Sequence, residues 1–577
     1  MKQLITVFLG IFFVANAFAQ NNGYTFYYSA ERSIEPVYRI SETPAIIDTT
    51  IPIPAINYPL LSFHRETSFS LDTIKAAKIK LTEKLPRLYH SYIRVGFGNY
   101  LTPLGEVFIN STRSRKFHWG VQATHLSSWG KIKGYAPATF DNTQTSAYGK
   151  ILEKNYTLSG KVNYGNQGLH FYGIQRENVP KDSIRQRFND VGFTSQFDWH
   201  KKDTAHLNYT LGLNYNHYND RKISDSLKKW RAQENYLAVT SNWKYKLKQE
   251  VYAADLNLHY NGYKYGVPNN FLSHAYDTLN SKLDTGIVNN NYLIDFKPNV
   301  TTFGKNGKWS VLIGLDLFFD VHKNEKVKVV PVPMVAFHYS LFHDIFIPYV
   351  GINGGVQQNT FKSLSQTNNF ISSNVQLKNE YNTINFYGGI RGVISKSISF
   401  DANISFGHYQ NKLMFAIDSV YSGGNRYRPV YDNMNITKLE ASISYQLNEK
   451  IKIDAVGQYF SYQTRKYPYA WNLPDFKFML RGHYNMFEKF YFNVDFNLQT
   501  GRKGMVYGPG ADVQQENGYY YKKLGVLADA NLGVEYAYNK RISAFIQCNN
   551  LASQKYKRWV NYQVQAFQII GGVTFKF

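Results

Sequence analysis

The sequence predicts an all-β protein, a transmembrane antiparallel β-barrel of about 22 strands with a short periplasmic amino-terminal extension. Three observations carry this reading. Segments of strict apolar/polar alternation follow one another from Tyr92 onward, short polar turns alternate with longer loops between them, and the sequence ends on an alternating strand with an aromatic last residue.

In chain order, Met1-Lys2 precedes an apolar run from Leu4 to Val14 and then Ala17-Phe18-Ala19. This is the pattern of a secretory signal peptide over 1–19, too short to span a bilayer, so an exported chain starting at Gln20 is expected. No cysteine adjoins the cleavage site, which argues against a lipid anchor. Cys548 is the one cysteine, so no intramolecular disulfide forms, and it reads as a small apolar strand residue. Beyond the leader no run of about 18 apolar residues occurs.

Residues 20–90 differ from the rest. Pro44, Pro52, Pro54 and Pro59 impose extended backbone, Thr73–Leu81 reads as either a short helix or a strand, and Pro86 ends it. The expectation is a periplasmic segment that partly plugs a pore or docks a partner protein.

Residues 91–577 form the expected barrel. Leu207, Tyr209, Leu211, Leu213 and Tyr215 alternate with Asn208, Thr210, Gly212 and Asn214, and Phe490, Phe492, Val494, Phe496 and Leu498 alternate with Tyr491, Asn493, Asp495 and Asn497. An apolar face for lipid and an amide-rich face for a wet lumen explain a mean hydropathy of −0.39 in a membrane protein. Tyr outnumbers Phe, 47 to 40, which suits girdles where a ring meets lipid on one side and water on the other. Short turns such as Glu153–Asn155, Lys248–Glu250 and Lys396–Ile398 alternate with loops such as Gly130–Gln144, Asp220–Lys229, Thr360–Asn379 and Ser419–Asn433. That rhythm puts turns in the periplasm, loops outside, and both barrel ends in the periplasm. In the last strand Phe567, Ile569, Val573, Phe575 and Phe577 share the lipid face, so a closed barrel leaves no apolar edge.

Residues Ala544–Tyr556, with Asn550-Leu551 and Lys555-Tyr556, then Tyr562 and the run Phe567–Phe577, resemble the carboxy-terminal end of TonB-dependent receptor barrels. The likeness spans about 35 residues and implies solute transport across the outer membrane of a Gram-negative bacterium. It also implies that the terminal aromatic is read by barrel-assembly machinery. Receptors of that family fill the lumen with an amino-terminal plug about twice as long as the stretch before Tyr92, so a full plug is not expected. The segment Ala45–Ile56 reads as a plain periplasmic strand rather than an energy-coupling box. The alternative is a non-transporting barrel that serves as scaffold or partner subunit in a surface complex.

The formal charge is +24. In an exported chain this points away from nucleic acid and toward outer-membrane lipid and phosphorylated glycolipid (lipopolysaccharide), or toward a solvated basic surface. The most basic loop carries Arg221, Lys222, Lys228, Lys229 and Arg231. Strand parity turns Arg391, Lys477, Arg481 and His483 into the lumen, either to favour anions or to pair with carboxylates such as Asp295 and Asp401. Asp255, Asp401 and Asp495 read as hydrated lumen groups. No spacing typical of a metal, cofactor or catalytic motif appears, so neither an enzyme nor a cofactor is expected.

Overall fold

The computed structural model describes residues 88–577 except 201–206, 221–230, 266–286, 324, 419–421, 423 and 449. The expectations for 1–19, and for 20–90 apart from its last three residues, lie outside the described residues. The described chain forms one closed sheet of 22 antiparallel strands in chain order. The first strand, Ser91–Gly98, pairs with the last, Gln568–Lys576. Short turns gather at one end (the turn end) and longer connections at the other (the loop end). The last strand begins one residue after Phe567, which belongs to the connection before it.

Alternation sorts the side chains as a barrel in lipid requires. Leu211, Leu213 and Tyr215 lie exposed on the outer face while Asn216 and Tyr218 are buried inward. Near the turn end, outward rings stack across neighbouring strands: Tyr156 on Phe197 at 5.8 Å, Trp199 on Tyr209 at 6.1 Å, and Tyr209 on Trp243 at 5.2 Å. Rings in such a row have one apolar and one wet side, which fits a membrane interface.

The seam that closes the barrel depends on two glycines. Gly96 faces Gly572, which in turn faces Phe545. The Phe545 ring lies across both; a Cβ on Gly572 would sit 2.7 Å from its Cζ and 2.1 Å from the Val95 carbonyl oxygen. The Arg94 guanidinium covers the ring at 3.7 Å. At the rim, Ser91 and Phe577 exchange backbone hydrogen bonds of 2.9 and 3.0 Å.

Several connections depart from the expected rhythm. Strands Phe140–Leu152 and Tyr427–Leu447 begin inside segments expected as loops. At the loop end, 99–101 and 323–327 are short, whereas 465–475 and 550–567 are longer connections that alternation did not reveal. The loops are also structured. Helix α1 (Phe361–Thr367) lies in the connection 358–379, and 501–526 carries a three-stranded sheet.

A side chain at position 572 should prevent closure. Gly572→Val is expected to abolish the heat-modifiable mobility of the folded barrel on a denaturing gel, because overpacking a tight site costs about 1–3 kcal/mol and here meets backbone on one side. Val573→Ala, on the outer face, should retain it; folded mobility in Gly572→Val would contradict this account of the seam.

Candidate functional site at the loop-closed mouth

Crossing a bilayer takes roughly 9–11 tilted residues, and two strands are far longer. Ile398–Ile417 has 20 residues and Tyr427–Leu447 has 21. Their pairing breaks at a bulge between Tyr409 and Lys412, where Asn411 adopts a positive φ of 54°. Beyond it Met414, Phe415, Ala416 and Ile417 are all buried, so both faces of the projecting ribbon are covered. The cover comes from other loops. Ala136, Phe171, Leu364, Ile371, Val506 and Tyr562, from five separate connections, share one apolar core with Phe415 and Tyr427.

The connection 358–379 crosses this mouth. Helix α1 begins with a capping box in which Thr360 and Ser363 exchange backbone–side-chain hydrogen bonds of 3.0 Å. The lumen-wall carboxylate of Glu234 accepts the free N–H groups of Phe361 at 2.6 Å and Lys362 at 2.9 Å. The ring of Phe361 packs against Tyr263 at 5.4 Å and Tyr218 at 5.9 Å. Tyr218 and Ser365 share a hydroxyl hydrogen bond of 2.7 Å, and the Lys362 ammonium pairs with Asp190 at 2.7 Å. Past the helix the chain reaches the opposite side. Phe370 stacks on Tyr562 with centroids 3.6 Å apart, and Ile371 forms a parallel bridge with Tyr427. Ser373 donates to Asp220, Ser372 to Asp418 at 2.5 Å, and Asn379 to Asp320 at 2.7 Å.

Five acidic side chains, Asp190, Asp220, Glu234, Asp320 and Asp418, thus hold this one connection. Asp220 and Glu234 are almost wholly buried. A buried carboxylate is tolerated where donors surround it, and here the cap loop supplies donors to each. The other loops are tied down by buried polar groups as well. Arg502 donates to the carbonyls of Lys557 and Arg558, both at 2.9 Å, and burial pushes its guanidinium down to about 10. Tyr172 donates to the Gln563 carbonyl at 2.9 Å, and burial pushes its phenol up.

Beside the cap a cavity of about 520 Å³ is bounded by 358–379, the lumen wall and parts of the connections 129–139, 171–184 and 550–567. A second recess of about 420 Å³ contains Arg481, His483, Arg94, Lys452, Asp454 and Asp495. Among the described residues no group of His, Cys, Asp or Glu is placed to hold a metal ion.

The sequence-predicted site residues fall as follows. Arg481 meets Asp495 at 3.3 Å and His483 contacts Asn493 at 2.9 Å. Lys477 lies over the Phe460 ring at 5.3 Å. Arg391 sits opposite Asp401 and 5.5 Å from the Tyr349 ring centre, while Tyr349 donates to Asp401 at 2.7 Å. The four cations occupy different heights on strands four apart and form no ring. Asp295 bonds Lys297 at 2.9 Å instead of any of them, and Asp255 accepts from Asn242 at 3.1 Å. Arg231 donates to Asn219 and to the Asp220 carbonyl. Arg221, Lys222, Lys228 and Lys229 lie outside the described residues. Val573, Phe575 and Phe577 are exposed on the outer face, and Phe567 precedes the strand. Sequence reasoning missed Glu234, Asp220, Phe361 and Phe370. The one local signal was Thr360 three residues before Ser363, opening an unusually long loop that carries Phe361, Leu364, Phe370 and Ile371.

No protein-family model and no curated protein matches the sequence. Solved structures share the fold. The ferripyoverdine receptor of the Pseudomonas aeruginosa outer membrane, with ferripyoverdine bound, aligns at a TM-score of 0.61 and 12% identity, covering 86% of this chain and 72% of its own. The ferric-catecholate import receptor Fiu of E. coli K12, in its closed form, aligns at 0.61 and 10% identity over 86% of this chain and 82% of its own. The copper transporter OprC aligns at 0.60 and 12% over 86% and 82%. The chain therefore shares the barrel fold of these receptors and this transporter.

Glu234 is the cap's testable anchor. Glu234→Ala leaves two helix N–H groups without their acceptor, a loss of about 1–3 kcal/mol. Hydrogen–deuterium exchange in peptides from 358–379 should then speed up by roughly tenfold or more, and Glu234→Gln should restore part of the protection. Unchanged exchange in Glu234→Ala would contradict the anchoring.

Proposed function

We propose that this protein is a non-enzymatic outer-membrane barrel that passes solutes, resembles TonB-dependent receptors, and is closed atypically. The observation that carries the reading is the connection 358–379, which spans the mouth from Glu234 on one wall to Tyr427 and Tyr562 on the other. A lumen of 22 strands is too wide to be filled by wall side chains alone. Here the loops supply filler at one end. On this reading the turn end faces the periplasm, the loop end faces outward, and residues 20–90 either add to the occlusion from the periplasmic side or dock a partner there.

A second reading, a silent scaffold within a surface complex, draws on the same cap. Phe361, Leu364 and Ile371 are wholly buried, like the core of a soluble domain, which suits a permanent lid. One of the barrel's structural neighbours was solved as a receptor–pyocin S2 complex, an example of a barrel of this fold engaging a protein.

Planar-bilayer recording separates the two readings. The full chain should show small or intermittent currents, and replacing 362–376 with a short Gly-Ser linker should give large, steady ones. Removing 20–90 should raise the current further if that segment enters the lumen and leave it unchanged if it docks a partner. A full chain that stays silent and co-purifies with another protein supports the scaffold reading. A cap deletion without added current overturns closure by the loop.

The basic loop gives a separate expectation. Arg231 is engaged with the wall, so Arg221, Lys222, Lys228 and Lys229 are the cations proposed to meet glycolipid phosphate. Replacing all four with Gln should weaken binding to lipopolysaccharide in a salt-dependent way, and unchanged binding would remove the idea.

A further inference from the structure

We infer that the cavity beside the cap is a binding site for an uncharged, polyhydroxylated solute, namely a short neutral saccharide. The inference rests on the transport reading for the route by which the ligand arrives, but the site itself is argued from its lining.

Size comes first. At about 520 Å³ the cavity falls within the range of small-ligand pockets, about 300–1,000 Å³. It has a floor on the lumen wall and a roof on the cap loop, so a ligand there touches both.

Charge comes next. The lining includes Asp141, but Arg187 holds that carboxylate with two hydrogen bonds of 2.8 and 3.0 Å. It also includes one further carboxylate, Asp529, and one guanidinium, Arg558. In number, two carboxylates stand against two guanidinium groups, the Arg187 that holds Asp141 and the Arg558 that shares the lining with Asp529. An ionic solute would meet compensated charge, whereas a neutral one loses nothing by it.

What remains unengaged is amide. Asn142 and Gln167 on the wall, and Gln366 and Asn369 on the cap, line the cavity with side chains that have no hydrogen-bond partner among the described residues. Asn531 and Asn549 also line the space, with their amides already hydrogen-bonded to Asn550 and to Gln547 and Gln568. A carboxamide offers an acceptor and two donors together, and a sugar hydroxyl both donates and accepts. Free amides on roof and floor therefore match a ligand with hydroxyls around its rim.

Aromatic surface supplies the apolar complement. Tyr172, Phe370 and Trp559 border the same space. Phe370 is fixed by its stack on Tyr562, and Tyr172 packs edge-on against Phe370 at 5.6 Å. These rings are locked before any ligand arrives, which lowers the ordering cost of binding. Pyranose rings present flat C–H faces to such surfaces while their hydroxyls reach the amides.

The test is isothermal titration calorimetry of the full chain in detergent with maltotriose, cellotriose and chitotriose, with sialyllactose as the charged comparison. At least one neutral trisaccharide is expected to bind saturably and more tightly than sialyllactose. The double variant Gln366→Ala/Asn369→Ala should weaken that binding about tenfold or more, with the heat-modifiable mobility of the folded barrel retained. The inference is overturned by no saturable heat from any neutral trisaccharide, by tighter binding of sialyllactose, or by undiminished binding in the folded double variant. Failure here is distinguishable from failure of the transport reading. A barrel that conducts but binds no saccharide refutes only this site, and one that binds a saccharide but never conducts refutes only transport.

Discussion

Closing 22 strands on themselves pairs every backbone edge, yet it encloses a lumen that wall side chains cannot fill. The rest of the structure answers to that pair of consequences. At the seam, the first and last strands approach so closely that only glycine fits at 96 and 572 beneath the Phe545 ring. At the mouth, the projecting ends of Ile398–Ile417 and Tyr427–Leu447 give the loops something to pack on.

The mouth is organised as a small soluble-like core on top of a membrane barrel. Its apolar residues come from loops widely separated in sequence, and burial of their rings supplies the cohesion. Direction comes from the carboxylates. Glu234 takes the start of helix α1, while Asp220 and Asp418 take Ser373 and Ser372 at its far side. Because each acceptor is matched to a particular donor, sliding the loop would leave buried carboxyl groups without those partners, and the hydrogen bonds therefore fix its register.

The barrel was legible because its rules are local. Alternation in 490–500 and the polar turn at 153–155 need only near neighbours to be recognised, and both stand in the structure. The mouth was not legible, for two physical reasons. Where a strand is buried on both faces, as from Met414 to Ile417, alternation disappears and the stretch resembles no particular element. The contacts that matter join residues far apart in sequence, Phe370 with Tyr562 or Glu234 with Phe361, and no spacing rule reaches that far. The lumen cations show a milder form of the same gap. Parity placed Arg481 and Arg391 inward, but whether they face open water or a partner depends on the neighbouring strand, which supplies Asp495 to one and Asp401 opposite the other.

The central claim is that 358–379 lies across the mouth in the folded protein. The most direct measurement is a site-directed cross-link between the loop and the wall it reaches. With Cys548 replaced by Ser, cysteines at positions 218 and 365, whose hydroxyls meet at 2.7 Å, should join through a short thiol-specific cross-linker in intact membranes. The linked species should show a shifted mobility only after heating has unfolded the barrel. A failure to cross-link, with both thiols reactive to a small maleimide, would place the loop elsewhere and contradict the account.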